Sequence, residues 1–260
     1  MRSPSTLSRL AVAVAGLLSA SCTPGGSPSP TPPPALSGTV TVFAAASLTA
    51  AFGELGSDFE KAHPGVTVRF NFAGSGTLVT QIGQGASADV FAAADQPTMT
   101  KLTAGGYAMG KPEAFAGNHI EIAVPPGNPR HIQSLPDLQN SNVLVDVCAP
   151  SVPCGDYANQ VFAKANLHIT PVSLEQDVKS VLAKVESAEV DAGVVYVTDV
   201  QAAGSKVVGV PIPPNQNVLA TYPAVAIKGS PNQAGGAAFL AYLLSGPAQQ
   251  VLGRYGFVKA

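Results

Sequence analysis

The chain has no tryptophan and three cysteines, and only 12% of its residues are charged. Each scarcity removes a class of function. With Arg2 and Arg9 set aside, 12 basic residues stand against 16 acidic ones and nowhere form a basic cluster, which argues against nucleic acid as a partner. The four histidines, His63, His119, His131 and His168, have no metal-ligand spacing, and Cys148 and Cys154 are too isolated to build a zinc site. Neither the P-loop pattern nor G-x-G-x-x-G occurs. The G-x-S-x-G elbow of hydrolases also fails, because Ala73 occupies the first glycine position before Ser75. A hydrolase built on Ser47 or Ser75 would need a histidine brought close by the fold. That enzyme is the competing reading from a different class.

Long apolar runs are missing too. The stretch Leu10-Ala-Val-Ala-Val-Ala-Gly-Leu-Leu18 is far short of the roughly 20 residues that span a bilayer. Placed after Arg2 and Arg9, it reads as the core of a secretory signal over 1–21. The small residues Ser19-Ala-Ser before Cys22 resemble a bacterial lipobox, in which Cys22 is the acylated first residue and anchors the chain to the cell membrane. Ser19 departs from that pattern, which prefers leucine there, and ordinary cleavage leaving Cys22 unmodified is the alternative. Residues 22–37 are rich in proline, serine and glycine, with nothing to build a core, so they predict an extended tether.

From there the chain alternates strand-like and helix-like segments. Thr39–Ala44 and Val66–Phe72 alternate with period two, and Leu48–Ala62 places Leu48, Phe52, Leu55 and Phe59 at helical spacing. Further strands are expected at 88–93, 119–124, 143–147, 192–197 and 220–227. Helices are expected at 77–82, 155–165, 176–187, 233–244 and 248–255. This pattern predicts an α/β fold with largely parallel sheets.

Four strand-to-helix junctions carry the chemistry: Ala44-Ala-Ala-Ser47, Ala73-Gly-Ser-Gly-Thr77, Val152-Pro-Cys-Gly155 and Glu175-Gln-Asp-Val178. Helix N-termini present unpaired N–H groups and a partial positive charge, which suits an anion. Taken singly, Ser47 also reads as a helix cap and the Gly74/Gly76 pair as a flexible turn.

In order along the chain, Val40-Thr-Val-Phe-Ala-Ala-Ala-Ser-Leu-Thr49, Phe72-Ala-Gly-Ser-Gly-Thr-Leu78, Ala88-Asp-Val-Phe-Ala-Ala-Ala-Asp95, Asp177-Val178, Gly193-Val-Val-Tyr196 and Arg254-Tyr-Gly-Phe257 resemble the molybdate-binding proteins of bacterial ABC importers. The resemblance implies a two-lobed type II periplasmic-binding-protein fold with a ligand cleft between lobes. Lobe 1 would be 38–118 plus 224–260 and lobe 2 would be 119–223. It further implies a monomeric receptor, not an enzyme and without cofactor, that captures molybdate or tungstate for a membrane permease. Ser47 and Ser75 would offer hydroxyl and N–H, Tyr196 its phenol, and Cys154 and Val178 their backbone N–H. Family members often carry a small residue such as alanine at the Cys154 position. Such a donor set, free of carboxylate, disfavours protonated phosphate, whereas sulfate must be rejected by size. A receptor for sulfate or another oxyanion is therefore the alternative within the same fold.

Cys148 and Cys154 are the pair left in the mature domain of an exported chain, so they are expected to form a disulfide.

Overall fold

The computed structural model describes residues 35–260. The signal segment, Cys22 and most of the expected tether lie outside the described residues.

Strand β1 (Gly38–Ala45) shows how the alternation is used. Val40, Val42 and Ala44 face one layer, where they pack with Phe52, Leu55 and Phe59 of helix α1 (Thr49–Ala62). Phe43, pointing the other way, joins Leu78, Phe91 and Leu102. Period-two alternation of side chains thus builds two cores, one on each face of the sheet. β2 (Val66–Ala73), α2 (Ser75–Gly83), β3 (Val90–Ala92) and α3 (Gln96–Ala104) follow, then the long β4 (Ala108–Val124). Next come β5 (Val145–Cys148), α4 (Pro153–Lys164), β6 (Ser173–Glu175), α5 (Val178–Glu186), β7 (Ala192–Tyr196) and α6 (Val197–Ala203). β8 (Val208–Pro211), β9 (Leu219–Ile227), α7 (Gln233–Leu243) and α8 (Gly246–Arg254) complete the chain.

The strands run in the order β2-β1-β3-β9-β4-β7-β5-β6, with β8 also on β4. Pairs β1–β2, β1–β3, β5–β6 and β5–β7 are parallel. β4 and β9 are antiparallel to one another and to β3, β7 and β8. The sheet is therefore mixed, which corrects the expectation of largely parallel strands. The physical reason is connectivity. β4 leaves the first half of the fold and β9 returns to it, so the chain passes the same place in opposite directions. β4 pairs with β9 as far as His119 and with β7 and β8 from Ile120 onward, so these two strands join the halves.

β4 is also much longer than the expected strand at 119–124. Its first part holds Gly110, Pro112 and Gly117, and its register shifts between Met109 and Glu113 and between Ala114 and Ala116. Such bulges break the alternation that marks a strand in sequence. Helix α3 was equally silent, being threonine-rich rather than apolar, yet Asp95 caps it through the Thr98 N–H at 2.9 Å.

Candidate functional site

In open α/β sheets, ligands bind beyond the carboxyl ends of strands. Here β1, β2, β5, β6 and β7 all end toward one place. Ser47, Ser75, Cys154, Val178 and Tyr196 line a single cavity of about 10 Å³. Pockets for drug-sized organic molecules start at roughly 300 Å³, so this one suits something smaller.

Ser75 is the first residue of α2, preceded by Gly74, and is 1% exposed. Its Oγ accepts the Ala94 N–H at 3.1 Å. An oxygen already accepting a hydrogen bond still has its own proton to give, so the hydroxyl serves the cavity as a donor. Ser47 sits inside a short 3-10 turn, Ala46–Leu48, and its side chain caps nothing. Its Oγ lies 2.9 Å from the Tyr222 Oη instead. The capping reading of Ser47 is thereby replaced by a buried side-chain contact.

On the opposite wall, Cys154 is the second residue of α4. The Gly155 and Asp156 N–H groups both bond to the Val152 carbonyl at 3.0 Å. No acceptor for the Cys154 N–H occurs among the described residues. The expected disulfide is present: Cys148 and Cys154 are joined, with Cα atoms 5.6 Å apart. Gly155 is required beside it, because a Cβ there would overlap the Ala149 and Cys148 carbonyl oxygens.

Val178 opens α5, which begins two residues later than the sequence pattern predicts. Its cap is Asp177, whose carboxylate accepts the N–H groups of Lys179 at 2.8 Å and Ser180 at 3.1 Å. Those are the second and third amides of the helix, so the first, on Val178, stays free for the cavity. Asp177 itself lines the cavity, so the lining is not free of carboxylate as expected. Its oxygens are nevertheless occupied by the first turn of α5, including the Ser180 hydroxyl at 3.2 Å.

Tyr196 is 1% exposed, and its Oη has no hydrogen-bond partner among the described residues. Burial pushes the phenol well above its ordinary range, so it keeps its proton. The Tyr196 N–H is taken by Asp199 Oδ2 at 3.2 Å, leaving the phenol as this residue's contribution to the cavity. Asp199 is also fully buried, a condition that raises its pKa, and pairs with Lys179 Nζ at 2.8 Å. That pairing engages the Lys179 ammonium with a carboxylate outside the lining. Among the described residues, no lysine, arginine or histidine lines the cavity.

The two walls meet. A methyl group placed on Gly74 would overlap the Gln176 carbonyl oxygen, so the loop before α2 lies directly against the loop before α5. Glycine here provides close approach rather than the flexible turn it first suggests, since its φ of −57° is open to any residue.

A family model described as bacterial extracellular solute-binding protein matches residues 40–258. The chain is 39% identical to the molybdate-binding protein ModA of Mycobacterium tuberculosis, over 96% of this chain and 95% of that one. It is 33% identical to a putative ABC transporter substrate-binding lipoprotein, YvgL, of Bacillus subtilis, over 84% and 86% of the two chains. The chain belongs to the ModA-type molybdate-binding proteins. Among solved structures, the periplasmic molybdate-binding protein of Azotobacter vinelandii shares the fold, with a TM-score of 0.73 at 22% identity over 85% and 99% of the chains. The two-lobed type II architecture of this family is the fold observed here.

Within that family frame, the sequence reading missed the groups that hold the lining serines. Ala94, itself part of the lining, and Tyr222 and Asn118 touch those serines or their partners, and Asn118 and Tyr222 are both 0% exposed. The available signal was polar residues set inside apolar strands, Asn118 before His119-Ile-Glu-Ile and Tyr222 before Pro-Ala-Val-Ala-Ile.

Proposed function

We propose that this protein captures molybdate, and tungstate with it, through neutral hydrogen-bond donors and delivers it to an ABC permease. The observation that carries this reading is the lining: hydroxyls of Ser47 and Ser75, unpartnered N–H groups of Cys154 and Val178, and the unpartnered buried Tyr196 hydroxyl. An unpaired hydroxyl in so dry a place is costly unless a ligand completes it. A small oxyanion supplies acceptors on all sides, and hydrogen bonds to a charged partner are strong where water is excluded. The relatives named for molybdate support the choice of ion. A hydrolase based on Ser75 finds no support, because among the described residues no histidine lines the cavity to act as its base.

The test is thermal unfolding with a panel of oxyanions. Molybdate and tungstate at about 100 times the dissociation constant should add roughly 2.7 kcal/mol, while equimolar sulfate and phosphate add little. An equal shift with sulfate moves the assignment to a general oxyanion receptor, and no shift with any oxyanion ends it.

The receptor acts outside the cytoplasm as a monomer, held to the membrane through a lipid on Cys22. The Bacillus subtilis lipoprotein relative supports that anchoring. A Cys22→Ser variant should lose its detergent-phase partitioning; retention of a lipid mass adduct would count against acylation at this residue.

A further inference from the structure

The hydroxyls behind Ser47 form a chain whose direction follows from donor and acceptor chemistry. Asn118 is fully buried where β4 changes partners. Its Oδ1 accepts the His119 N–H at 2.9 Å, which settles which end of the amide is oxygen. Its Nδ2 therefore faces Thr198 Oγ1 at 2.8 Å and, at a longer 3.4 Å, Tyr222 Oη. An amide nitrogen donates and does not accept, so the Tyr222 proton cannot go to Asn118. Tyr196 Oη also lies near this phenol but makes no hydrogen bond with it, so the acceptor within hydrogen-bond geometry is Ser47 Oγ, 2.9 Å away. Tyr222 is completely buried, and a buried hydroxyl left undonated is costly. Its proton therefore goes to Ser47, Ser47 Oγ accepts, and the Ser47 proton is turned toward the cavity.

We propose that Tyr222, oriented by Asn118, is a positioning residue that makes Ser47 an obligate donor to the bound oxyanion. The inference rests on the oxyanion reading above. Ser75 reaches the same polarity by a different route, because the Ala94 N–H can only donate to it. Ser47 has no such amide, so its direction depends on a phenol contributed by β9. Without that phenol the Ser47 hydroxyl is free to rotate and present a lone pair, which repels an anion and welcomes a protonated ligand.

A double-mutant cycle tests this by calorimetric titration with molybdate on the exported chain. Tyr222→Phe should weaken molybdate binding roughly tenfold in the native background and cause no further loss in a Ser47→Ala background. Asn118→Leu removes the group that orients the phenol without touching it, and should give a smaller loss that is likewise absent once Ser47 is alanine. Unfolding midpoints without ligand establish that each variant is folded. Equal losses for Tyr222→Phe in both backgrounds would show that the phenol merely supports the cleft, and undiminished binding by Tyr222→Phe would overturn the role outright. Failure of the unaltered protein to bind molybdate would instead remove the oxyanion reading and this inference with it.

Discussion

The two walls of the cavity make donors in different ways. On the wall built from β1 and β2, the proposed donors are serine side chains, and each serine oxygen is met from behind by another group, Tyr222 for Ser47 and Ala94 for Ser75. On the wall built from β5 and β6, the proposed donors are backbone amides of Cys154 and Val178. These are positioned by a disulfide and by an N-cap aspartate that takes the neighbouring amides. The first wall therefore depends on side-chain identity. The second depends on backbone geometry at Cys154 and Val178, where a change of side chain leaves the N–H in place, and on side-chain identity only at Tyr196.

The sharpest way to break the comparison is to stop the walls meeting. In Gly74→Ala the added methyl overlaps the Gln176 carbonyl, while the backbone angles suit alanine. Overpacking costs about 1–3 kcal/mol, and a backbone clash belongs at the upper end, roughly 100-fold in affinity. The same overlap exists without ligand, so the ligand-free melting temperature should fall as well, to the extent that the walls do not separate to relieve it. Calorimetric titration beside ligand-free melting separates the two effects; a variant that binds normally would show that the walls need not touch.

Next in size is the contrast between Ser75→Ala and Val178→Ala. The first removes a donor to a charged group and should cost about 1.5–3 kcal/mol of binding. The second keeps its N–H, so affinity should change by less than about threefold, although lost burial lowers stability by about 1–2 kcal/mol. The reverse order in titration would mean that the side-chain and backbone roles are assigned to the wrong walls.

The smallest expected effect belongs to the disulfide. Its loop is short, so the bridge constrains the unfolded chain less than a long-range one would. Cys154 is nevertheless buried and opens the helix whose amide faces the cavity. Reduction should thus weaken oxyanion binding severalfold with a proportionally smaller drop in melting temperature. A large loss of stability with unchanged affinity would make the bridge a structural staple only.

Much of this was legible before the fold was known. Strong alternation marked β1 and β2, helical spacing marked α1, and the family resemblance pointed to Ser47, Ser75, Cys154, Val178 and Tyr196. β6 and β8 were too short to show a period, α6 begins where β7 ends with no turn between them, and the bulges of β4 erased its alternation.

Local chemistry along the chain determines where helices begin and which amides their caps leave free, because those interactions reach only a few residues. Asp177 and Val178 are neighbours, and their arrangement follows from that. Only the tertiary structure decided what stands behind Ser47, because the phenol that meets its hydroxyl is 175 residues away and the amide that meets the phenol lies on another strand. It also decided that the sheet is mixed, and that Gly74 meets Gln176. A hydrogen bond or a close approach depends on distance in space, and the sequence carries no measure of that until the strands are paired.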